Sequence, residues 1–236
     1  YIENTEKYLE HLKKNDLSIG GAITDVKGDR MLRAADPKQA HPDYYVRVVD
    51  RNKDGIVVRG AKAHITATPY LNEMLVMPSR HMTEEDSDYA VAFATPVSAP
   101  GIKQICHPFE WHRGSADFPI DVPVRSHTDA VVIFDDVFVP WERVFLCGES
   151  KWAATAVYNF AYLHRHTATT YHIAWVELLV GLGALMADYN GITKAGNVRD
   201  QLVELIYYLN TMKSLCRASC MDYVVQSGLA IPNPVT

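Results

Sequence analysis

The chain has 236 residues, 48% of them hydrophobic and 22% charged, enough for one or two domains with a sizeable core and not the composition of a disordered chain. Twenty-three basic against 28 acidic residues give a formal charge of −5, which excludes nucleic acid as the main partner. Four dispersed cysteines (Cys106, Cys147, Cys216, Cys220) are too few for a disulfide scaffold and read as reduced thiols in a cytoplasmic protein.

The chain opens at Tyr1 inside what reads as a helix, with Tyr8, Leu9 and Leu12 at helical spacing among charges. It ends at Ile231-Pro-Asn-Pro-Val-Thr236 without a closing element. Both ends look like cuts in a longer chain. From about Leu17 to Leu146 the pattern is β: Tyr44–Val49, a turn at Asn52-Lys-Asp-Gly55, Ile56–Arg59, Ala61–Thr68, Asn72–Met77, Tyr89–Ala94 and Ala130–Phe134. Short strands so regularly punctuated predict a sandwich or barrel. Thr66 and Thr68 alternate on one such strand and are expected to point to one side.

From Trp152 onward the pattern is helical. Residues 152–189 lack Pro, and Tyr189-Asn190-Gly191 supplies a stop. The uncharged apolar run Leu178–Ala187 has ten residues, about half of what crosses a membrane, so no membrane partner is expected. A second helix, about 197–228, is expected to start at Asn197 as cap and end at Gly228. It would carry Leu202, Leu205, Ile206, Leu209 and Met212 on one face.

Three sets of residues carry candidate chemistry. The loop Thr24-Asp25-Val-Lys27-Gly28-Asp29-Arg30 offers backbone N–H groups and cations of the kind that hold a phosphate or a flavin's polar edge. In it, Asp25 and Asp29 serve as turn-formers or partners for the cations. His164, His166 and His172 cluster on the long helix, but His164 and His172 lie about 80° apart around it at about 100° per residue. With no acid at metal-binding spacing, no metal is expected. Cys216 and Cys220 share a helix face at i, i+4 and read as small packed hydrophobes.

Several segments read together resemble one family. They are Gly21-Ala-Ile-Thr-Asp-Val-Lys-Gly-Asp-Arg30, Asp54-Gly-Ile-Val-Val-Arg-Gly-Ala-Lys-Ala-His-Ile-Thr66, Phe134-Asp-Asp-Val-Phe-Val-Pro-Trp-Glu-Arg143, Phe160-Ala-Tyr-Leu-His-Arg165 and Gly183-Ala-Leu-Met-Ala-Asp-Tyr-Asn-Gly191. The chain looks like the central part of the flavoprotein family that holds 4-hydroxyphenylacetate 3-monooxygenase and 4-hydroxybutyryl-CoA dehydratase. The resemblance implies an α+β, acyl-CoA-dehydrogenase-like fold: the end of an N-terminal helical domain (1–16), a middle β-barrel domain contacting FAD (17–150), and the first part of a C-terminal helical bundle (151–236), usually as a homotetramer. It implies flavin contacts from Thr24, Asp25, Lys27, Gly28, Asp29, Arg30 and Thr66. It implies substrate contacts from Ser79 and Arg80, and catalytic roles for His164 and Arg165.

Within the family the dehydratase holds an iron–sulfur cluster, and its helix carries His-Arg with a tyrosine four residues and a cysteine seven residues after the His. Here Ala168 and Tyr171 stand at those positions, and a phenol is a poor substitute for a thiolate. His166, Thr167, Thr170, Glu177 and Phe138-Val-Pro-Trp-Glu142 are compatible with the monooxygenases, which hydroxylate a phenol using O₂ and reduced FAD from a separate reductase. Gly20-Gly-Ala-Ile23 stands where that branch has a substrate histidine, and residues 24–95 lean towards the dehydratase. The sequence thus favours a cluster-free, two-component phenol 3-monooxygenase. The alternatives are a 4-hydroxybutyryl-CoA dehydratase/vinylacetyl-CoA isomerase-like enzyme acting on an acyl-CoA, and a non-catalytic flavin-binding paralogue.

Overall fold

The computed structural model describes residues 1–107, 128–226, 228–233 and 235, and the chain divides into two compact units, Tyr1–Val157 and Tyr158–Thr236.

In the first unit, helix α1 (Ile2–Asn15) precedes two four-stranded sheets. One sheet runs in the order β1 (Ile19–Ala22), β4 (Glu73–Val76), β5 (Val91–Pro96), β8 (Val144–Cys147), with β1 and β4 parallel. The other runs β2 (Arg47–Arg51), β3 (Gly55–Thr66), β7 (Asp129–Pro140), β6 (Ile102–Cys106), all antiparallel. Their inner faces bury one core. Val48, Ile56, Val58, Val132, Phe134 and Val137 come from the second sheet, and Met74, Val76, Val91, Phe93 and Val144 from the first. Phe93 meets Phe134 edge-on across the layer at 5.9 Å, a favoured aromatic geometry.

β3 shows why the sequence makes this layer. Ile56, Val58, Gly60 and Lys62 alternate inward against the half-buried Val57, Arg59, Ala61 and Ala63, the period of a half-buried strand. Gly60 (φ +139°) is required, because a Cβ there would lie 2.4 Å from the Tyr45 carbonyl oxygen. In β7 a bulge at Asp136 (φ +52°) resets the alternation, so that Phe134 and Val137 both face inward. The separate runs 56–59 and 61–68 are therefore one strand ending at Thr66. β1, β6 and β8 lack the alternation that would have announced them.

The expected pairing of Thr66 with Thr68 does not hold. Ala67 takes a left-handed backbone (φ +60°), and Thr68 begins a 3₁₀ turn, buried, its hydroxyl donating to the Ile65 carbonyl at 2.6 Å.

The second unit is a helical hairpin. α2 (Ser150–Tyr189) enters it from the first unit. α2 stops in a Schellman motif: Ile192 N–H donates to Ala187 O and Gly191 N–H to Asp188 O, both at 2.9 Å, with Gly191 at φ +66°. α3 (Gly196–Met221) packs back along it. Gly183 faces Leu202 and Leu205, and Lys213 pairs with Glu177 at 2.8 Å.

Two expectations for α3 fail. Asn197 is not its cap, a position held by Ala195 without a side-chain bond. The helix also ends at Met221 rather than Gly228, since β9 (Val224–Gln226) and β10 (Leu229–Ile231) form a hairpin around the Gly228 turn. Residues 222–228 carry β-branched valines and a positive-φ glycine, which favour that turn over another helical one. The reading of the ten-residue apolar run also falls short. From residue 166 to 187 the only Asp, Glu, Lys or Arg is Glu177, and α2 is long and apolar enough, by length and composition, to cross a membrane.

Candidate functional site

The site is built around one buried cation. Lys62, on the inward side of β3, is almost wholly buried, and its three ammonium protons each meet an acceptor: Asp25 Oδ1 at 2.7 Å, the Met77 carbonyl at 2.7 Å and the Ile23 carbonyl at 2.9 Å. Asp25 Oδ1 also accepts the Val46 N–H at 3.2 Å. Burial pulls the Lys62 ammonium below the ordinary lysine range, and the Asp25 carboxylate opposes that pull. The chain leaving β1, the chain leaving β4 and the start of β2 are thus held at one point. Ala63 N–H to Thr24 O (2.8 Å) and Met77 N–H to Ala22 O (3.2 Å) complete the joint.

Beyond the joint, the chain turns through Lys27 (φ +78°) and Gly28 (φ +54°). A Cβ at Gly28 would come within 2.4 Å of the Tyr44 ring and 2.7 Å of Gln39 Oε1. Gln39 straps the loop from inside: its Oε1 accepts the Asp29 N–H at 3.1 Å and its Nε2 donates to the Asp29 carbonyl at 2.8 Å. Asp29 Oδ1 accepts the Met31 N–H at 2.9 Å, a local turn bond. The Lys27 N–H donates to the Tyr44 carbonyl at 3.1 Å, so the N–H groups of Lys27, Asp29 and Met31 are used, while those of Gly28 and Arg30 enter no hydrogen bond among the described residues. Thr24, Gly28, Asp29 and Arg30 are exposed and Lys27 is half-buried.

The segment after β4 joins the same region. Arg80 donates to the Leu32 carbonyl at 2.9 Å and reaches the Tyr45 hydroxyl at 3.4 Å. Beside it, the Ser79 hydroxyl is buried with no hydrogen-bond partner. An orphaned buried hydroxyl costs about 1–3 kcal/mol. Thr66 is exposed at the end of β3, four residues beyond Lys62.

The structure thus joins the loop 24–30 to Ser79 and Arg80, through residues the sequence reading passed over. Lys62 lies inside the quoted segment Asp54–Thr66 but was given no role there, and Gln39 lies in no quoted segment. The inward register of a lysine on an otherwise apolar face of the strand is the physical signal that could have found the first. Asp25 turns away from the loop's own cations to pair with Lys62.

His164 and Arg165 lie on α2 in the second unit, both exposed. The His164 ring packs against Phe160 at 5.5 Å between centroids. Tyr171 is stacked on His172 at 4.3 Å. His166 points to α3: its Nδ1 lies 3.2 Å from Ser219 Oγ and its Nε2 3.5 Å from Cys220 Sγ.

Comparison with known proteins places this geometry in a family. The N-terminal model of 4-hydroxyphenylacetate 3-hydroxylase matches residues 1–146, and the C-terminal model of the same family matches residues 153–236. The chain is 40% identical over 225 residues to a 4-hydroxybutyryl-CoA dehydratase/vinylacetyl-CoA-Δ-isomerase of Clostridium aminobutyricum, covering 93% of this chain and 45% of that one. It is 37% identical to the oxygenase component of 4-hydroxyphenylacetate 3-monooxygenase of Thermus thermophilus, covering 91% and 44%. A solved oxygenase component of 4-hydroxyphenylacetate 3-monooxygenase, complexed with FAD and 4-hydroxyphenylacetate, superposes with a TM-score of 0.76 at 35% identity, covering 98% and 48%. A glutaryl-coenzyme A dehydrogenase shares the fold at a TM-score of 0.59 and 15% identity, covering 89% and 48%. The chain spans about half the length of the relatives it matches.

Proposed function

Because the chain belongs to the 4-hydroxyphenylacetate 3-hydroxylase family, we propose that it is the central part of an FAD-dependent, two-component phenol 3-monooxygenase. The relatives named oxygenase components and the structure holding FAD with 4-hydroxyphenylacetate support this reading. When bound, reduced FAD supplies the electrons that activate O₂ for hydroxylation beside a phenol oxygen.

The residues present fit such a group. The loop 24–30 offers the N–H groups of Gly28 and Arg30 and the cations Lys27 and Arg30 to an anionic edge. Thr66 offers an exposed hydroxyl, and the partnerless Ser79 Oγ offers a buried one. Arg80, fixed by Leu32 and Tyr45, would orient substrate. His164 and Arg165 are the proposed proton-handling pair of the second unit.

The single observation that carries the monooxygenase branch is Tyr171. Where the dehydratase pattern needs a thiolate on α2, this chain has a phenol stacked on His172. The hairpin's own thiols, Cys216 and Cys220, face Thr170 and His166 instead. A second reading, acyl-CoA dehydration or isomerisation, is favoured by the 40% identity to the Clostridium enzyme. We further propose a homotetramer in the cytoplasm, with the apolar face of α2 buried between helices rather than in lipid.

The test supplies full-length protein with FAD, a flavin reductase, NADH, O₂ and 4-hydroxyphenylacetate, and looks for the catechol by chromatography. A panel of phenols giving no catechol, beside turnover of 4-hydroxybutyryl-CoA, would overturn the first reading in favour of the second.

A further inference from the structure

On the hairpin of the second unit, a thiol, an imidazole and a hydroxyl form a connected chain. Cys216, Ser219 and Cys220 lie within about one turn of α3 and meet His166 and Thr170, one turn apart on α2. Ser219 is buried, 6% exposed. Its single hydroxyl proton goes to the Cys216 carbonyl at 3.0 Å, which leaves Oγ as the acceptor for His166 Nδ1–H at 3.2 Å. That bond assigns the tautomer. Nε2 is then an unprotonated acceptor, and it faces Cys220 Sγ at 3.5 Å.

We infer that Cys220 is a reactive thiol with His166 as its base, a modification site for hydroperoxides and soft electrophiles. A thiol beside an oriented imidazole is the arrangement that generates thiolate, the reactive form. Cys220 is exposed, and His166 and Ser219, the groups that orient its base, line an open cavity of about 350 Å³ together with Arg165 and Cys216.

Two of the other three thiols serve as internal references. Among the described residues the Cys216 sulfur has one hydrogen-bond partner, the Thr170 hydroxyl at 3.8 Å, which also donates to the His166 carbonyl, and no imidazole nitrogen is bonded to it. Cys106 is exposed like Cys220, and its sulfur enters no hydrogen bond among the described residues.

With hydrogen peroxide the step balances as follows. His166 Nε2 takes the thiol proton, and the sulfur attacks one peroxide oxygen. The S–O bond forms as the O–O bond breaks, and sulfur loses the two electrons that the peroxide gains. The departing hydroxide takes the proton from His166 and leaves as water, with sulfenic acid on Cys220.

The test exposes full-length protein to hydrogen peroxide, traps sulfenic acid with dimedone and reads each cysteine by peptide mass spectrometry. Cys220 should be trapped roughly tenfold or more faster than Cys106. His166→Gln should bring Cys220 down to the Cys106 rate while leaving Cys106 unchanged. Ser219→Ala, which frees the tautomer with little change in packing, should lower the Cys220 rate as well, and it stands in if the His166 variant does not fold. Equal trapping of Cys220 and Cys106, an untrapped Cys220, or a Cys220 rate indifferent to both substitutions would overturn the inference.

Discussion

Lys62 Nζ and Asp25 Oδ1 stand 2.7 Å apart with each side chain 2% exposed, so the joint beneath the loop 24–30 is an ion pair isolated from water. Removing one partner leaves the other charged and buried, which costs about 3–5 kcal/mol. Lys62→Met should therefore unfold at much lower urea, and Lys62→Met/Asp25→Asn should lose far less than the sum of the single variants. A strictly additive cycle would show that the pair is not coupled.

The same pair predicts a pH dependence. Folded Lys62 holds its proton less tightly than the unfolded chain, whose lysine titrates near 10.5. Between the lowered value and 10.5 the unfolded state binds more protons, so this group's contribution to stability rises as pH rises through that window. It is lost as pH falls through the lowered value. Urea unfolding at several alkaline pH values should show this rise in the parent relative to Lys62→Met. Parallel curves would contradict it.

Gly28 is the loop's conformational requirement. Alanine there must accept φ +54° and a contact of 2.4 Å with the Tyr44 ring, a local strain of about 1–3 kcal/mol. Gly28→Ala should raise the Kd for FAD by roughly tenfold or more, while thermal unfolding of the protein, whose core lies elsewhere, changes modestly. Fluorescence titration with FAD reads the first and calorimetry the second. Unchanged affinity would detach the loop from flavin.

Thr66→Val tests the hydroxyl at the strand end without changing its β-branched shape. Loss of one hydrogen bond of about 1 kcal/mol predicts FAD binding several-fold weaker or a shifted flavin absorption band. An identical spectrum and Kd would remove Thr66 from the site.

The chain's legibility followed local periodicity. The alternation of Ile56, Val58 and the following inward residues, and the long Pro-free run of α2, were readable because burial repeats at a fixed period. The joint at Lys62 was not. It depends on the parallel pairing of β1 with β4 and on carbonyls at Ile23 and Met77, contacts between residues distant in sequence whose side chains play no part. Thr66 and Thr68 failed for a related reason: one left-handed residue, Ala67, reverses the face that simple alternation assigns. The end of α3 was misplaced because Gly228 serves a hairpin turn as readily as a helix stop.

Tyr158, Tyr171, Leu179 and Met186 are all exposed along α2, more apolar surface than an isolated soluble helix ordinarily leaves in water. We expect the full-length protein to bury it in a tetramer. Light scattering should return four times the subunit mass, and Tyr158→Glu should shift that mass downward. A clean monomer would refute the assembly.

The last prediction concerns iron. A [4Fe–4S] centre takes four strong ligands, normally thiolates. At the α2 position where the dehydratase pattern places a cysteine stands Tyr171, whose ring lies against His172, and a phenol with a reference pKa near 10 keeps its proton at neutral pH. Thr170 and His172 on either side restore no thiol. Cys216 and Cys220 lie on α3, directed at Thr170 and His166, and His164 packs on Phe160. Without that corner the remaining ligands do not close a cluster, so FAD should be the only redox cofactor. Protein purified without oxygen should therefore contain iron and acid-labile sulfide well below one per subunit, and its spectrum should show flavin bands with no broad shoulder to the red. Tyr171→Cys should not by itself raise the iron content if other ligands are also missing, and should raise it if Tyr171 alone blocks the site. About four irons per subunit in the parent would overturn the claim, and the acyl-CoA reading would then displace the monooxygenase one.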